Sequence, residues 1–419
     1  MGNNFYFHTC AIRLSELYFF KAFESALTGW FGKGIEMGKS KSDKEKYPPS
    51  KEMLIESSIV LLSERWYGTV SVAEICRHAG FSNGLFYRYF PDKESIFKHI
   101  LEIVIEKIAE SIADLPGKTA KVRLDLFIER IFNFSQDNPA LVKVFREGQY
   151  RYFEYERRLQ AVYEEGLARA LGSAVDLSAY IFGLGGLRFS AVRSAFHAIP
   201  VRLESLERII EEGIFHQLDF RPEKVFPTSI RPLPLIIMPD PRERILREGK
   251  LLIGRDGYFN TNVQDITAAA GLATGSFYSH FTNKEAFYAE LIHRVGREVR
   301  HFISLNLDPS LNRLERELRG LWLFIVYLSL DRNCYGIVRE AEFVLPAAVK
   351  AYYDAFVSGY RQRSDEKTVA EGSTEIEFML GIAHYLGMEV IFDQSPEQAK
   401  KVISAIGEFY RRGFSARLA

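Results

Sequence analysis

Residues 72–101 read VAEICRHAGFSNGLFYRYFPDKESIFKHIL, and residues 263–292 read VQDITAAAGLATGSFYSHFTNKEAFYAELI. The two stretches align without a gap at a constant offset of 191 (263 − 72). Identical pairs include Ile75/Ile266, Gly80/Gly271, Gly84/Gly275, Phe86/Phe277, Tyr87/Tyr278, Phe90/Phe281, Lys93/Lys284 and Glu94/Glu285. Solenoid periods are far shorter than this spacing, so the repeat implies two domain-sized copies in one chain.

Each copy has the spacing of a helix-turn-helix. In the first, Ser71 stands at the N-cap of a helix over 71–79, and Gly80 supplies the left-handed residue that lets the chain turn sharply. Ser82 then opens a short helix to about Tyr89, the length of a recognition helix. Phe86 and Phe90 are four apart and share the face that docks on the preceding helices. Asn83, Gly84, Tyr87 and Arg88 fall on other faces. There a glycine permits close approach to a groove, a tyrosine hydroxyl reaches a phosphate, and Asn83 and Arg88 reach base edges or backbone. Asp92 caps the next helix, which puts Lys93 at a helix start where a phosphate is favoured. The second copy offers Thr274, Gly275, Tyr278, Ser279, His280 and Lys284 at equivalent places.

Outward from the repeats the chain reads as all-α. Leu54, Ile55, Ile59, Leu62 and Trp66 make a helical face before the first motif, and Ile245, Leu246, Leu252 and Ile253 before the second. Long helices follow, with Ile96, Ile100, Val104, Ile108 and Ile112 in one and Phe287, Leu291, Val295 and Val299 in the other. The duplication continues weakly to Phe145-Arg146-Glu147 against Val338-Arg339-Glu340, Gly183 against Gly381, and Glu212-Gly213-Ile214 against Arg412-Gly413-Phe414. The shared Arg-Glu pairs read as internal salt bridges.

These patterns divide the chain into an N-terminal extension with a basic arm (1–46), a first helix-turn-helix domain (47–113) and a first helical effector and dimerisation domain (114–218). A Pro-rich linker (219–241) follows, then a second helix-turn-helix domain (242–305) and a second effector and dimerisation domain (306–419). The linker prolines, Pro222 to Pro241, are expected to forbid helix and favour an extended path. Residues 1–36 read as an upstream extension ahead of a start at Met37, or as an amphipathic helix packed on the body.

Composition narrows the function classes. Lys plus Arg and Asp plus Glu each number 54, so no global basic field advertises nucleic acid, and any DNA-binding face is a local arrangement. Cys10, Cys76 and Cys334 are too few and scattered for a disulfide framework or zinc site, which fits a reducing cytoplasm. Cys76 reads as a small core residue. No apolar stretch approaches the roughly 18–20 residues of a membrane span. The sequence has no phosphate loop, nucleophile motif or metal-ligand cluster, so an enzyme, a metal and a cofactor are not expected.

The turn glycine, the G-x-F-Y-x-x-F run and the following K-E resemble the tetracycline-repressor (TetR) family of bacterial transcription regulators. That resemblance implies an all-helical subunit, three small DNA-binding helices and a larger domain that binds an effector and dimerises. Family members are typically one such subunit paired as a homodimer, whereas here two are in tandem.

The reading is therefore a transcription regulator, a repressor, that binds double-stranded DNA as a single-chain pseudo-dimer under control of a small apolar effector. The aromatic residues Phe127, Phe132, Phe134, Trp322, Phe324 and Tyr327 either line an effector pocket or form ordinary core. Helices around 177–197 and 375–393, with Gly183, Gly185, Gly186, Gly381 and Gly387, either join the halves or pack within each. The heads differ in charge. Residues 72–101 hold four basic and three acidic residues, while residues 263–292 hold one and three. The second head is expected to bind DNA more weakly unless Arg242, Arg244, Arg247, Lys250 and Arg255 compensate. A homodimer using only its first heads, and a ligand-binding protein without DNA affinity, stay open as alternatives.

Overall fold

Helix starts in both halves are set by side chains that satisfy otherwise orphaned backbone N–H groups. Ser71 accepts from Glu74 N in a capping box, and Asn262 does the same with Asp265. Asp92 accepts from Ser95 N and Asn283 from Ala286 N, each at 2.7 Å. The computed structural model describes residues 48–233, 240–362, 373–392 and 396–418, and no strand occurs among the described residues. The readings of residues 1–46 lie outside them, as do linker residues 234–239.

The first half runs through α1 (Pro49–Glu64), α2 (Val72–Ala79), α3 (Asn83–Tyr89), α4 (Lys93–Ala113), α5 (Ala120–Asp137), α6 (Pro139–Arg151) and α7 (Phe153–Leu171). Next, α8 runs from Leu177–Tyr180 through a π-helical turn at Ile181–Gly185 into Gly186–His197, and α9 is Leu203–Glu212. A short α10 (Pro222–Val225) lies in the connector. The second half repeats the series as α11 (Pro241–Asp256), α12 (Val263–Ala269), α13 (Thr274–Tyr278), α14 (Lys284–Asn306), α15 (Arg313–Leu330), α16 (Asn333–Val344) and α17 (Pro346–Gln362). It continues through α18 (Ser373–Phe392) and α19 (Pro396–Arg412) to α20 (Ser415–Leu418). Each first-half helix thus has its counterpart ten numbers on.

The helical faces read from sequence are the buried ones. Ile96, Ile100, Val104, Ile108 and Ile112 of α4, and Phe287, Leu291, Val295 and Val299 of α14, are all buried. Among the described residues no single helix is long and apolar enough to cross a membrane. One pair, Arg313–Leu330 with Asn333–Val344, meets that composition only across a 98° bend.

The halves meet through α8 and α9 on one side and α18 and α19 on the other. A Cβ on Gly186 would lie 2.3 Å from the Phe378 ring, and one on Gly381 would lie 2.6 Å from Gly185 O. Those three glycines therefore serve the contact between halves, while Gly387 packs on Leu328 and Phe324 of its own half. Gly183 faces both, meeting Phe414 and Leu167. The segments after α9 and α19 exchange equivalent bonds. Ile214 N donates to Tyr410 O at 2.7 Å, and Phe414 N donates to Ile210 O at 2.9 Å. Such reciprocity is the mark of a two-fold contact. Gly213 (φ 93°) and Gly413 (φ 52°) hold left-handed conformations there, and a Cβ on either would strike the partner backbone below 3 Å.

The linker departs from the extended path expected of it. Pro222 occupies the first turn of α10, where its missing N–H costs nothing, so proline starts a helix here instead of forbidding one. Phe226 then packs edge-on against Trp322 at 5.5 Å, and Arg231 N donates to Asn306 Oδ1 at 2.7 Å. In its described part the connector is fastened along the second half.

Candidate nucleic-acid interface

Both heads turn on a left-handed glycine, Gly80 at φ 76° and Gly271 at φ 66°. Phe86, Phe90, Phe277 and Phe281 are buried beneath the helix that follows, and Cys76 is buried with them. That anchoring leaves the opposite face in solvent. Ser82, Asn83, Gly84, Tyr87 and Arg88 are exposed together, as are Thr274, Gly275, Tyr278, Ser279 and His280. The tyrosines are the most exposed aromatic residues of their heads, at 57% for Tyr87 and 59% for Tyr278. Burying a ring stabilises a fold, so an exposed ring at both equivalent positions points to a partner. Gly84 and Gly275 face open space, which permits close approach of the helix backbone to a ligand surface.

Ser82 occupies the N-cap of α3, but its hydroxyl makes no capping bond and is left for another acceptor or donor. Ser279 instead donates to Gly275 O at 3.4 Å.

The lysines are placed differently from the other ten candidates. Lys93 Nζ donates to Tyr67 O and Val70 O, each at 2.7 Å, and sits 4.1 Å from the Tyr67 ring centre. Lys284 Nζ donates to Tyr258 O and sits 4.0 Å from the Tyr258 ring centre. Burial pulls both ammonium groups below the usual lysine range. An ammonium has three donors, and Lys93 spends two of them inside the protein. Each lysine is first a clamp on the turn preceding its head.

The same turn is also held from the body, by the glutamate of each shared Arg-Glu pair. Glu147 accepts from Tyr67 N at 3.1 Å through both carboxylate oxygens, and Glu340 accepts from Tyr258 N at 2.6 Å. Burial pushes Glu147 up to about 7 and also raises Glu340. The internal-salt-bridge reading holds in the first half, where Glu147 also meets Arg151 at 3.5 Å, and not for Glu340, which makes no ion pair among the described residues. Arg146 reaches Glu342 at 2.6 Å, and Arg339 lies over the Tyr150 ring at 4.5 Å. The matching positions were visible in sequence. Their bonds to the turn were not, because the donors there are backbone N–H groups.

The heads also touch each other. Trp66, just after α1, stacks on Phe259 at 5.7 Å and meets Phe343 at 5.5 Å. The turns preceding the two heads are thereby joined.

The second head has the shorter exposed helix. Its recognition helix spans Thr274–Tyr278, against Asn83–Tyr89 in the first. The basic residues of α11 that were expected to compensate are mostly ion-paired within the chain, Arg247 and Arg255 at its surface. Arg242 pairs with Glu290, Arg247 with Glu248, Arg255 with Asp256, and Lys250 with both Glu298 and Asp331. Among the described residues, Arg77 and Arg88 of the first head make no ion pair.

Comparison with known proteins agrees with this geometry. The family of bacterial regulatory proteins named tetR matches residues 54–100 and again residues 245–291. The HTH-type transcriptional repressor DhaR of Mycobacterium sp. (strain GP1) is 36% identical over 93 residues, 22% of this chain and 47% of DhaR. The chain thus spans about half of that relative's length. The HTH-type transcriptional regulator BetI of Pseudomonas paraeruginosa is 26% identical over 155 residues, 31% of this chain and 79% of BetI. Similar solved structures include the fatty acid degradation regulator FadR from Bacillus halodurans, at 17% identity and TM-score 0.34 over 39% of this chain and 96% of that one. Another is a TetR-like transcriptional regulator from Rhodococcus sp. RHA1, at 21% identity and TM-score 0.33 over 42% and 97% of the two chains. With the family matching once in each half, the chain belongs to the tetR family of bacterial regulatory proteins and carries two tandem units of it.

Proposed function

We propose that this chain is a cytoplasmic DNA-binding repressor of transcription that works as a single-chain pseudo-dimer under effector control. The observation that carries the reading is the pair of equivalent, exposed Gly-x-x-Tyr faces on two heads of one folded chain. In this reading Tyr87 bonds phosphate, Asn83 and Arg88 read base edges, and Ser82 positions the helix start. Lys93 keeps one donor for a phosphate while clamping the head. Thr274, Tyr278, Ser279, His280 and Lys284 play the corresponding parts at a second half-site roughly 34–36 Å away. Those faces share little beyond Gly and Tyr, so the operator is not a palindrome.

Pairing within one chain is supported by the sign of the charges between halves. Arg146 pairs with Glu342, Arg157 with Glu389, Arg193 with Glu377 and Arg208 with Glu375. In all four the arginine comes from the first half and the glutamate from the second. The opposite case, Arg411 with Asp219, belongs to the connector. Two first halves brought together would oppose arginines, and two second halves glutamates, which disfavours either homotypic pairing.

An alternative with direct support is a protein that grips DNA through its first head alone. The ion-paired α11 and the short α13 favour it. Footprinting on the DNA upstream of the protein's own gene separates the readings. The pseudo-dimer protects one asymmetric site in two segments about a helical turn apart, and a single working head protects one segment.

A further inference from the structure

The body of the second half holds a cavity of about 190 Å³, bounded by α14, α15, α16, α17 and α18. Its existence follows from one exchange between the halves. Counted from the helix starts, Gly320 of α15 stands where α5 has Phe127, and Gly359 of α17 stands where α7 has Gly166. In the first half Phe127 is fully buried, and a Cβ on Gly166 would lie 2.8 Å from its ring and 2.7 Å from Ile112. That space is filled. In the second half a Cβ on Gly320 or Gly359 would meet nothing within 4 Å.

The walls are apolar and aromatic, with Leu321, Phe324, Val338 and Met379 among them. The charges on them are unequal. Glu317 pairs with Arg313 and Glu342 with Arg146, so both carboxylates are answered. Arg300, Arg316 and Arg339 make no ion pair among the described residues, but Arg316 donates to Leu311 O and Arg339 is spread over the Tyr150 ring, while the Nε of Arg313 is buried without a hydrogen-bond partner among them. Arg300 stands where the first half has Ala109, and its guanidinium lies 5.3 Å from the Phe356 ring centre. A half-buried guanidinium set between the Phe356 ring and Tyr352, with Arg297 nearby and no carboxylate paired to it among the described residues, is short of an anion. Burial pulls Arg300 below the usual arginine range, in keeping with that shortage.

We infer that the second half alone holds a ligand site, one per chain, for an apolar or aromatic molecule carrying one anionic group that meets Arg300. The inference rests on the effector-controlled reading above and gives it a place and a chemistry. The far wall of the cavity also reaches the first half. His384 Nε2 lies 3.1 Å from Tyr150 Oη, Arg339 covers the Tyr150 ring, and Glu342 holds Arg146. One ligand is thus in contact with residues that hold both halves together, and no second copy is needed to transmit its presence.

The test uses the full chain, without DNA, and two fluorescent probes of one shape: 8-anilinonaphthalene-1-sulfonate, which is anionic, and N-phenyl-1-naphthylamine, which is not. The sulfonate is expected to saturate at one per chain. Gly320→Phe and Gly359→Leu, which fill open space, should each weaken it at least tenfold with thermal unfolding unchanged. Arg300→Met should weaken the sulfonate at least fivefold and leave the amine unaffected. Two equivalents per chain, or full affinity in both filled variants, would overturn the site. Equal loss of both probes in Arg300→Met, or of neither, would overturn the anionic class. A footprint repeated with bound sulfonate judges effector control separately: an unchanged footprint removes that control and leaves the site standing.

Discussion

The two heads share a scaffold and differ in what they present. Both have a left-handed turn glycine, a buried Phe pair, an inward lysine and a glutamate from the body on the preceding turn. The first adds Arg88 on a seven-residue recognition helix, while the second has Ser279 after a five-residue one and ion pairs along α11. The scaffold residues are those that a helix-turn-helix needs in order to fold and stay attached. In the proposed reading the differing residues are those that determine which surface it grips. The bodies repeat the lesson: Phe127 fills one and Gly320 opens the other.

The largest effect is expected where the halves differ in sign. Arg193 and Glu377 are both buried and joined by two bonds, at 2.8 and 3.1 Å. Arg193→Met leaves a buried carboxylate unanswered and should cost about 3–5 kcal/mol in chemical denaturation. Adding Glu377→Met should recover most of the loss. Equal destabilisation by the single and double variants would show that the pair does not hold the halves together.

Next is a test of what the heads share. Burial holds the Glu147 carboxyl at about 7, above its ordinary value of 4.5, so the folded chain binds that proton more tightly than the unfolded one. Its contribution to stability is present below about pH 4.5 and lost as pH rises to about 7, by about 3 kcal/mol at most. Glu147→Gln should flatten that part of the stability profile. Glu340→Gln should flatten it too if the heads are anchored alike, and an unchanged profile in both would remove the buried carboxylates from the account.

Smaller effects separate the heads on DNA. Arg88→Ala should cost about 1–3 kcal/mol of affinity and relax sequence preference at one position. Tyr87→Phe should cost about 1 kcal/mol. The least effect belongs to Tyr278→Phe, below about 0.5 kcal/mol in the same titration, because its head brings little charge to the complex. A larger loss from Tyr278 than from Tyr87 would reverse the ranking of the heads.

Much of this was legible in the sequence because it is local. Helix faces, caps, turn glycines and the duplication depend on residues a few positions apart, and Ile96, Phe86, Asp92 and Gly80 all stand as their spacing implies. What spacing could not reveal is long-range. The inward course of Lys93 depends on carbonyls more than twenty positions earlier, and the partner of Arg146 is Glu342 in the other half. Pro222 was misread by counting prolines without asking where in a helix each would fall. The cavity was hidden for another reason. Phe324, one of the six aromatics suggested for a pocket, does line it, but two glycines make it.

The central claim is that two unlike halves of one chain grip one DNA site. The most direct measurement is a footprint of the purified protein on the DNA upstream of its gene, across a range of salt, with the number of chains per site determined on the same complex. The account predicts one chain on one asymmetric site, protected in two segments about a helical turn apart, with the segment under the second head lost first as salt rises. Two chains on a palindrome, each using its first head, would contradict it.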